Sequence, residues 1–247
     1  MIAAVVLAIA GGGAGVWLRR WLGDLGYRNE AEAQAPLPGG RWWVPVVSAV
    51  VSAALAYRLW DSPARADPGS ALDSGDASGI AAAQIVVLLV LVVASWACIA
   101  LAAIDQDVHR LPDRITGPTV VWLVLGLAVA AVLGAGWAPW LRMLACALAS
   151  GLFYLVLSLL SLTRGSSALG LGDVKLSVVL GAALGWFGIH AVILGLYAGF
   201  LIGGVWAVGL LVARRVNLGG HLAFGPPMML GALCALLLPA TSVGSMF

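Results

Sequence analysis

From Arg114 to Phe247 the chain contains one acidic residue, Asp173, in the run Gly170-Leu171-Gly172-Asp173-Val174-Lys175 at the mouth of an apolar segment. The other carboxylates in a comparable setting close an earlier apolar segment, in Ile104-Asp105-Gln106-Asp107-Val108-His109-Arg110-Leu111-Pro112-Asp113. A charged group near a bilayer is unfavourable by about 2.5–3.5 kcal/mol even on lenient insertion scales. Carboxylates kept at such positions therefore call for a use. Two of them brought together by the fold can perform acid/base chemistry: repulsion raises one pKa, so that one carboxyl stays protonated while the other is ionised. The ionised group takes a proton from water, the protonated one polarises a carbonyl, and the two titrate as a unit.

The pairing must come from distant parts of the chain. If residues 104–111 continue a helix, Asp105 and Asp107 lie about 200° apart around its axis. Asp105 and Asp113 would stand about 12 Å apart along it, and Pro112 disturbs the helix between them. Downstream, only Asp173 is left as a partner for a carboxylate of this segment. Gly170 and Gly172 allow a tight turn and close approach. Asp173 precedes an apolar helix whose N-terminal dipole favours an anion, and Lys175 can extend to the interface. The plainer reading of Asp173 is a helix N-cap. Asp107, His109 and Arg110 read as a solvated helix end. His109 has no second His or Cys at metal-ligand spacing, and His190 and His221 read as loop or interface residues.

The elements that must position these residues are membrane helices. Hydrophobic residues make up 62% of the chain and charged residues 10%, against about 25% charged in soluble domains. An all-α polytopic membrane protein is expected, with about eight transmembrane helices near 1–18, 43–60, 80–103, 116–134, 139–162, 174–189, 190–213 and 225–243. The first reads as a retained anchor, since Arg19-Arg20 follow the apolar stretch. The sixth and seventh are separated by a tight turn near Gly188-Ile189-His190. With the N-terminus outside, ten basic residues fall inside (Arg19, Arg20, Arg28, Arg41, Arg110, Arg114, Arg164, Lys175, Arg214, Arg215) and three outside (Arg58, Arg65, Arg142). The bias predicts N-out and C-out, with both acidic motifs on the cytoplasmic side. Trp42, Trp43, Trp60, Trp137, Trp140 and Trp186 read as an interfacial aromatic belt. A single membrane domain over 1–247 is expected, with a flexible external loop at 61–79 and a short cytoplasmic loop at 19–42. The net charge of +2 and the lack of a basic patch give no reason to expect nucleic acid. Cys98, Cys146 and Cys234 form no CxxC and indicate neither zinc nor disulfides.

Ile104-Asp105 through Leu111-Pro112-Asp113, followed by Gly170-Leu171-Gly172-Asp173-Val174-Lys175-Leu176, resemble the two signatures of type IV prepilin peptidases, membrane aspartic proteases of the GxGD type. Phe224-Gly225-Pro226-Pro227 resembles the FGP element near their last helix. The likeness runs in order from about Ile80 to Leu238, within a peptidase core placed at 80–243. It implies Asp105 and Asp173 as the catalytic pair. Gly170, Gly172, Lys175, Pro112, Asp113, Gly225 and Pro226 are implied as supporting or substrate-binding residues, and Asp113 as the rival for the first aspartate. It also implies a multi-pass protein of the bacterial cytoplasmic (inner) membrane that cuts the short basic leader from prepilins or pseudopilins after a glycine, on the cytoplasmic face. No cofactor is implied. Bifunctional relatives carry paired CxxC motifs in the first cytoplasmic loop and methylate the new N-terminus with S-adenosylmethionine. Residues 19–42 hold no cysteine, so methyl transfer is not expected of this chain. The alternative reading is a proton-coupled transporter with Asp105 and Asp173 as relay carboxylates. It fits less well, since by hydropathy both motifs sit at helix ends instead of at the bilayer midplane, and the chain shows no internal repeat.

Overall fold

The computed structural model describes residues 2–32, 38–61, 77–163, 170–212 and 224–238. Among these there are eight α-helices and no strand: α1 (Ile2–Gly23), α2 (Trp43–Ala56), α3 (Ala77–Val108), α4 (Asp113–Ala130), α5 (Trp137–Thr163), α6 (Leu171–Gly185), α7 (Ile189–Val212) and α8 (Gly225–Leu237). Single wide turns extend α2 to Asp61 and α4 to Ala135. Six helices are long and apolar enough to cross a membrane. The other two, α6 and α8, have 15 and 13 residues, or roughly 20–22 Å at 1.5 Å per residue. Large apolar side chains such as Leu148, Leu152 and Val205 are 74%, 63% and 75% exposed. Six span-length apolar helices with exposed apolar side chains make this a multi-pass membrane protein.

Several helix limits differ from hydropathy, each for a local reason. The third helix was expected to end at 103 but continues through the polar turn to Val108, with the His109 N–H donating to the Asp105 carbonyl at 3.0 Å. It stops where His109 takes a left-handed φ of 50° and Pro112 removes a donor. The fourth was expected from 116 and begins at Asp113, because the Pro112 carbonyl accepts the N–H groups of Ile115 and Thr116 at 3.1 and 3.2 Å. The sixth, expected at 174–189, lies at 171–185. Extended Gly170 (φ −84°, ψ 159°) sets its start. Its end is the anticipated tight turn, where Gly188 sits at φ 135°, a value L side chains rarely adopt. The loop at 61–79 lies mostly outside the described residues, as do Arg164, Arg214, Arg215, His221 and the end of the expected last span beyond 238.

The chain divides into two compact units, one of residues up to Ala103 with Val121–Leu141, the other of Ile104–Val120 with residues from Arg142 onward. In the first, Gly15 brings α1 onto α2 so closely that a Cβ there would stand 2.5 Å from the Pro45 Cα. Indole N–H groups satisfy otherwise buried acceptors: Trp96 donates to the Ser52 hydroxyl (2.9 Å), Trp122 to the Val90 carbonyl (3.1 Å) and Trp140 to the Val124 carbonyl (3.0 Å). The connection after α1 is tied back to it. Buried Arg41 donates to the Leu22 carbonyl at 2.8 Å and to the Tyr27 hydroxyl at 2.5 Å, with its guanidinium 5.4 Å from the Tyr27 ring centre. This cation on terminal carbonyls is favoured by the helix dipole.

The second unit holds the residues of interest. Helices α5 and α6 pack through small residues: a Cβ on Gly185 would stand 3.0 Å from the Met143 Cα, and one on Gly151 would meet Val178. Ser177 donates to the Ser150 carbonyl at 3.2 Å. Arg142 closes the far end of α6 by donating to the Gly185 and Trp186 carbonyls at 3.0 and 2.6 Å. Trp186 itself is buried, so it does not share the exposure expected of an interfacial belt. Helices α7 and α8 meet closely, with a Cβ on Gly199 only 3.1 Å from the Met228 Cα.

Candidate active site

Asp105 lies in the last turns of α3, beside the fully buried Leu101 and Ile104, and is 5% exposed. Its carboxylate is held by the start of α8: the Gly225 N–H donates to Oδ2 at 3.1 Å. A helix N-terminus offers unpaired N–H groups and the positive end of the dipole, and so suits a carboxylate. Pro226 and Pro227 follow at the first helical positions, where their fixed φ favours helix entry and their missing N–H groups cost nothing. Gly225 has no room for a side chain, since a Cβ would stand 2.7 Å from Asp105 Oδ2 and 3.6 Å from Leu176 Cδ2.

Asp173 is 9% exposed. It is not the N-cap that its position suggested. Gly170 occupies that place, its carbonyl accepts the Asp173 N–H at 3.1 Å, and its own N–H donates back to Asp173 Oδ2 at 3.2 Å. The three-residue spacing in Gly-x-Gly-Asp thus turns the carboxylate back over the first turn of α6, as the acidic residue of a capping box does. Asp173 precedes the long spans' neighbouring apolar run and lies outside them. Burial pushes its carboxyl up to about 6, the Gly170 N–H opposes this, and the charge of Asp105 raises it further. The two carboxyls belong to one compact unit, and the charge of Asp105 reaches Asp173.

The remaining motif residues meet nearby. Leu111 packs on Gly172, where a Cβ would come within 3.3 Å of it. Lys175 forms an ion pair with Asp113 in place of the free extension expected of it, with side chains 46% and 74% exposed. Pro112 starts α4, its carbonyl also accepting the Thr116 hydroxyl at 3.0 Å. His109 is exposed at the end of α3. Among the described residues no cluster of His, Cys, Asp and Glu could hold a metal ion.

One polar group here had no signal in the motifs. Tyr154 of α5 is 0% exposed, and its hydroxyl has no hydrogen-bond partner among the described residues. Its ring stacks on Phe200 of α7 at 5.6 Å and 15°. Phe200 in turn lies 5.5 Å from Phe224, the residue before Gly225. The only mark of Tyr154 in the sequence is that it is the one tyrosine in this helix.

Residues 91–208 match the model of the type IV leader peptidase family. A prepilin leader peptidase/N-methyltransferase of Aeromonas salmonicida is 34% identical over 147 residues, 58% of this chain and 47% of its own. One of Pseudomonas putida is 34% identical over 151 residues, 60% of this chain and 49% of its own. One of Neisseria gonorrhoeae is 36% identical over 131 residues, 53% of this chain and 42% of its own. The chain spans about half the length of the curated relatives it matches. No solved structure matches it. The matched segment carries both the Asp105 and the Asp173 stretches, and over that segment the chain is similar to the type IV leader peptidase family.

Proposed function

We propose that this protein is a membrane aspartic endopeptidase that removes the short basic leader from type IV prepilins or pseudopilins at the cytoplasmic face of a bacterial inner membrane. The observation that carries the reading is the pair of buried carboxyls in one compact unit, each accepting a single backbone N–H, with the charge of Asp105 reaching Asp173. Asp173, whose carboxyl is pushed up to about 6 with Asp105 as its charged neighbour, is the proton holder. Asp105, whose Oδ2 accepts the Gly225 N–H, is assigned the role of base.

The chemistry balances with water as the only co-substrate. Asp105 takes a proton from water as its oxygen attacks the scissile carbonyl carbon, while Asp173 gives its proton to the carbonyl oxygen. The tetrahedral diol collapses as the proton on Asp105 passes to the leaving nitrogen and Asp173 recovers a proton from the diol hydroxyl. A free carboxylic acid and a free amine result. Methyl transfer, which appears in the names of the relatives, is left out of the proposal, because residues 19–42 hold no cysteine. The test is leader removal from a co-expressed prepilin: Asp105→Asn and Asp173→Asn each abolish cleavage while the protein remains membrane-inserted. Efficient processing by either variant overturns the aspartyl-pair reading.

A further inference from the structure

Tyr154 combines three observations that no packing role explains. Its hydroxyl is fully buried and unpartnered among the described residues, and an unmade hydrogen bond in such a place is unfavourable. Phenylalanine would fill the same space without that penalty. The register of the two helices also aims it. Helices α5 and α6 run antiparallel, with Cys146 against Gly185, Ser150 against Gly181 and Ser177, and Gly151 against Val178. One turn further along α5 from Ser150 is Tyr154, and one turn back along α6 from Ser177 is Asp173. The two residues therefore share a level, and Asp173 is the charged group whose field reaches the hydroxyl. Finally, the ring is clamped: stacking on Phe200, itself against Phe224, fixes where the hydroxyl points. Asp173 has a matching vacancy, for Oδ2 takes the Gly170 N–H and Oδ1 accepts no hydrogen bond among the described residues.

We propose that Tyr154 is a positioning residue whose hydroxyl donates to the free oxygen of Asp173 when the peptide occupies the site, fixing the direction in which that carboxyl presents its proton. This rests on the reading of Asp105 and Asp173 as the reacting pair. Hydrogen bonds of catalytic groups are commonly loose in the empty enzyme and close in the substrate complex. The other titratable and charged groups on the packed elements are Asp105, Asp107 and His109 at the end of α3, Asp113 and Arg114 of α4, and Lys175 on α6 itself, with Asp113 and Lys175 paired to one another. Arg142 and Cys146 of α5 lie at least two turns from Tyr154. His190 lies at the opposite end of the α6–α7 pair, Tyr197 is exposed, and α8 offers only Cys234.

The test is Tyr154→Phe in the full-length protein, reconstituted with a prepilin. At pH 5 the expected result is a fall in kcat of about ten- to a hundredfold, the usual effect of losing a hydrogen bond to an ionisable partner, with KM within about twofold. The alkaline limb of kcat moves up by roughly one pH unit, because donation to Asp173 favours its ionised form, whereas the limb of kcat/KM, which reports the free enzyme, stays in place. Thermal stability is equal to or above that of the parent. A Tyr154→Phe enzyme with parental kcat and an unmoved limb overturns the proposal. So does one that fails to fold, since the hydroxyl would then be bonded in the empty enzyme. Asp173→Asn, run alongside, separates the two readings: if it retains cleavage, the aspartyl pair itself is refuted; if it is inactive while Tyr154→Phe is parental, only the role of Tyr154 falls.

Discussion

Gly225→Ala adds one methyl group at the point where α8 holds Asp105. The new Cβ would stand 2.7 Å from Asp105 Oδ2, and ordinary contact begins near 3.4 Å, so the two must part by about 0.7 Å. Moving the carboxylate that far along the same direction stretches the 3.1 Å hydrogen bond from the Gly225 N–H to about 3.8 Å, beyond useful range. Leu176, 3.6 Å from the same Cβ and fully buried, blocks escape to that side. A hydrogen bond to a charged group contributes about 1.5–3 kcal/mol, which corresponds to a roughly ten- to 150-fold loss of rate. Gly225 is not among the positive-φ glycines, so alanine strains no backbone, and the loss is catalytic instead of a failure to fold. Gly204→Ala, where an added Cβ meets nothing within 4 Å, is the matched control. Single-turnover cleavage of a prepilin in proteoliposomes, normalised to inserted enzyme, measures both. A Gly225→Ala enzyme within twofold of the parent would refute the claim that this close approach sets the position of Asp105.

The pH profile gives a second prediction. With Asp173 as proton holder near 6, the working form of the pair is lost as pH rises through that value, so kcat falls roughly 75-fold from pH 5.5 to pH 8 for a single titration; a rate that climbs over this interval would reverse the assignment of acid and base. The Lys175–Asp113 pair is solvent-exposed on both sides, where such pairs contribute at most about 1 kcal/mol, so Lys175→Met shifts the melting temperature by less than about 4 °C; a larger drop would mean that the pair is structural. For topology, in a cysteine-free background, Ala138→Cys is labelled by a membrane-impermeant thiol reagent in intact cells and Asn29→Cys is not. The opposite pattern would place the two carboxyls on the outer face.

The helices were legible because a bilayer-length apolar run has few alternatives to a helix. Their ends were not, because the ends depend on local backbone bonding. The Pro112 carbonyl recruits Ile115 and Thr116 into α4, and hydropathy averages carry no trace of that. Asp173 stood out by elimination, as the one acidic residue after Arg114, whereas the choice of Asp105 over Asp107 and Asp113 rested on the family resemblance. The position of Asp173 within its turn was misread, because Asp is favoured at the N-cap itself, whereas here the glycine three residues earlier takes that place. Lys175 was read as a lone interfacial cation, and its ion pair depends on a fold contact 62 residues away. The support of Asp105 by Gly225 had only family resemblance to suggest it, and Tyr154 had nothing, since its meaning comes from the register of two packed helices.

The bond between the Gly225 N–H and Asp105 joins residues 120 positions apart in the chain, and this imposes an order of events during synthesis. Asp105 leaves the ribosome early, with α3. Its hydrogen-bond donor arrives only when α8 begins, after roughly 6–24 s at ordinary elongation rates of 5–20 residues per second. Through that interval the carboxyl pair lacks one of its two backbone supports. On the proposed reading a nascent chain is thus unarmed, and the capacity to cut peptide bonds would appear only once the last described helix has docked.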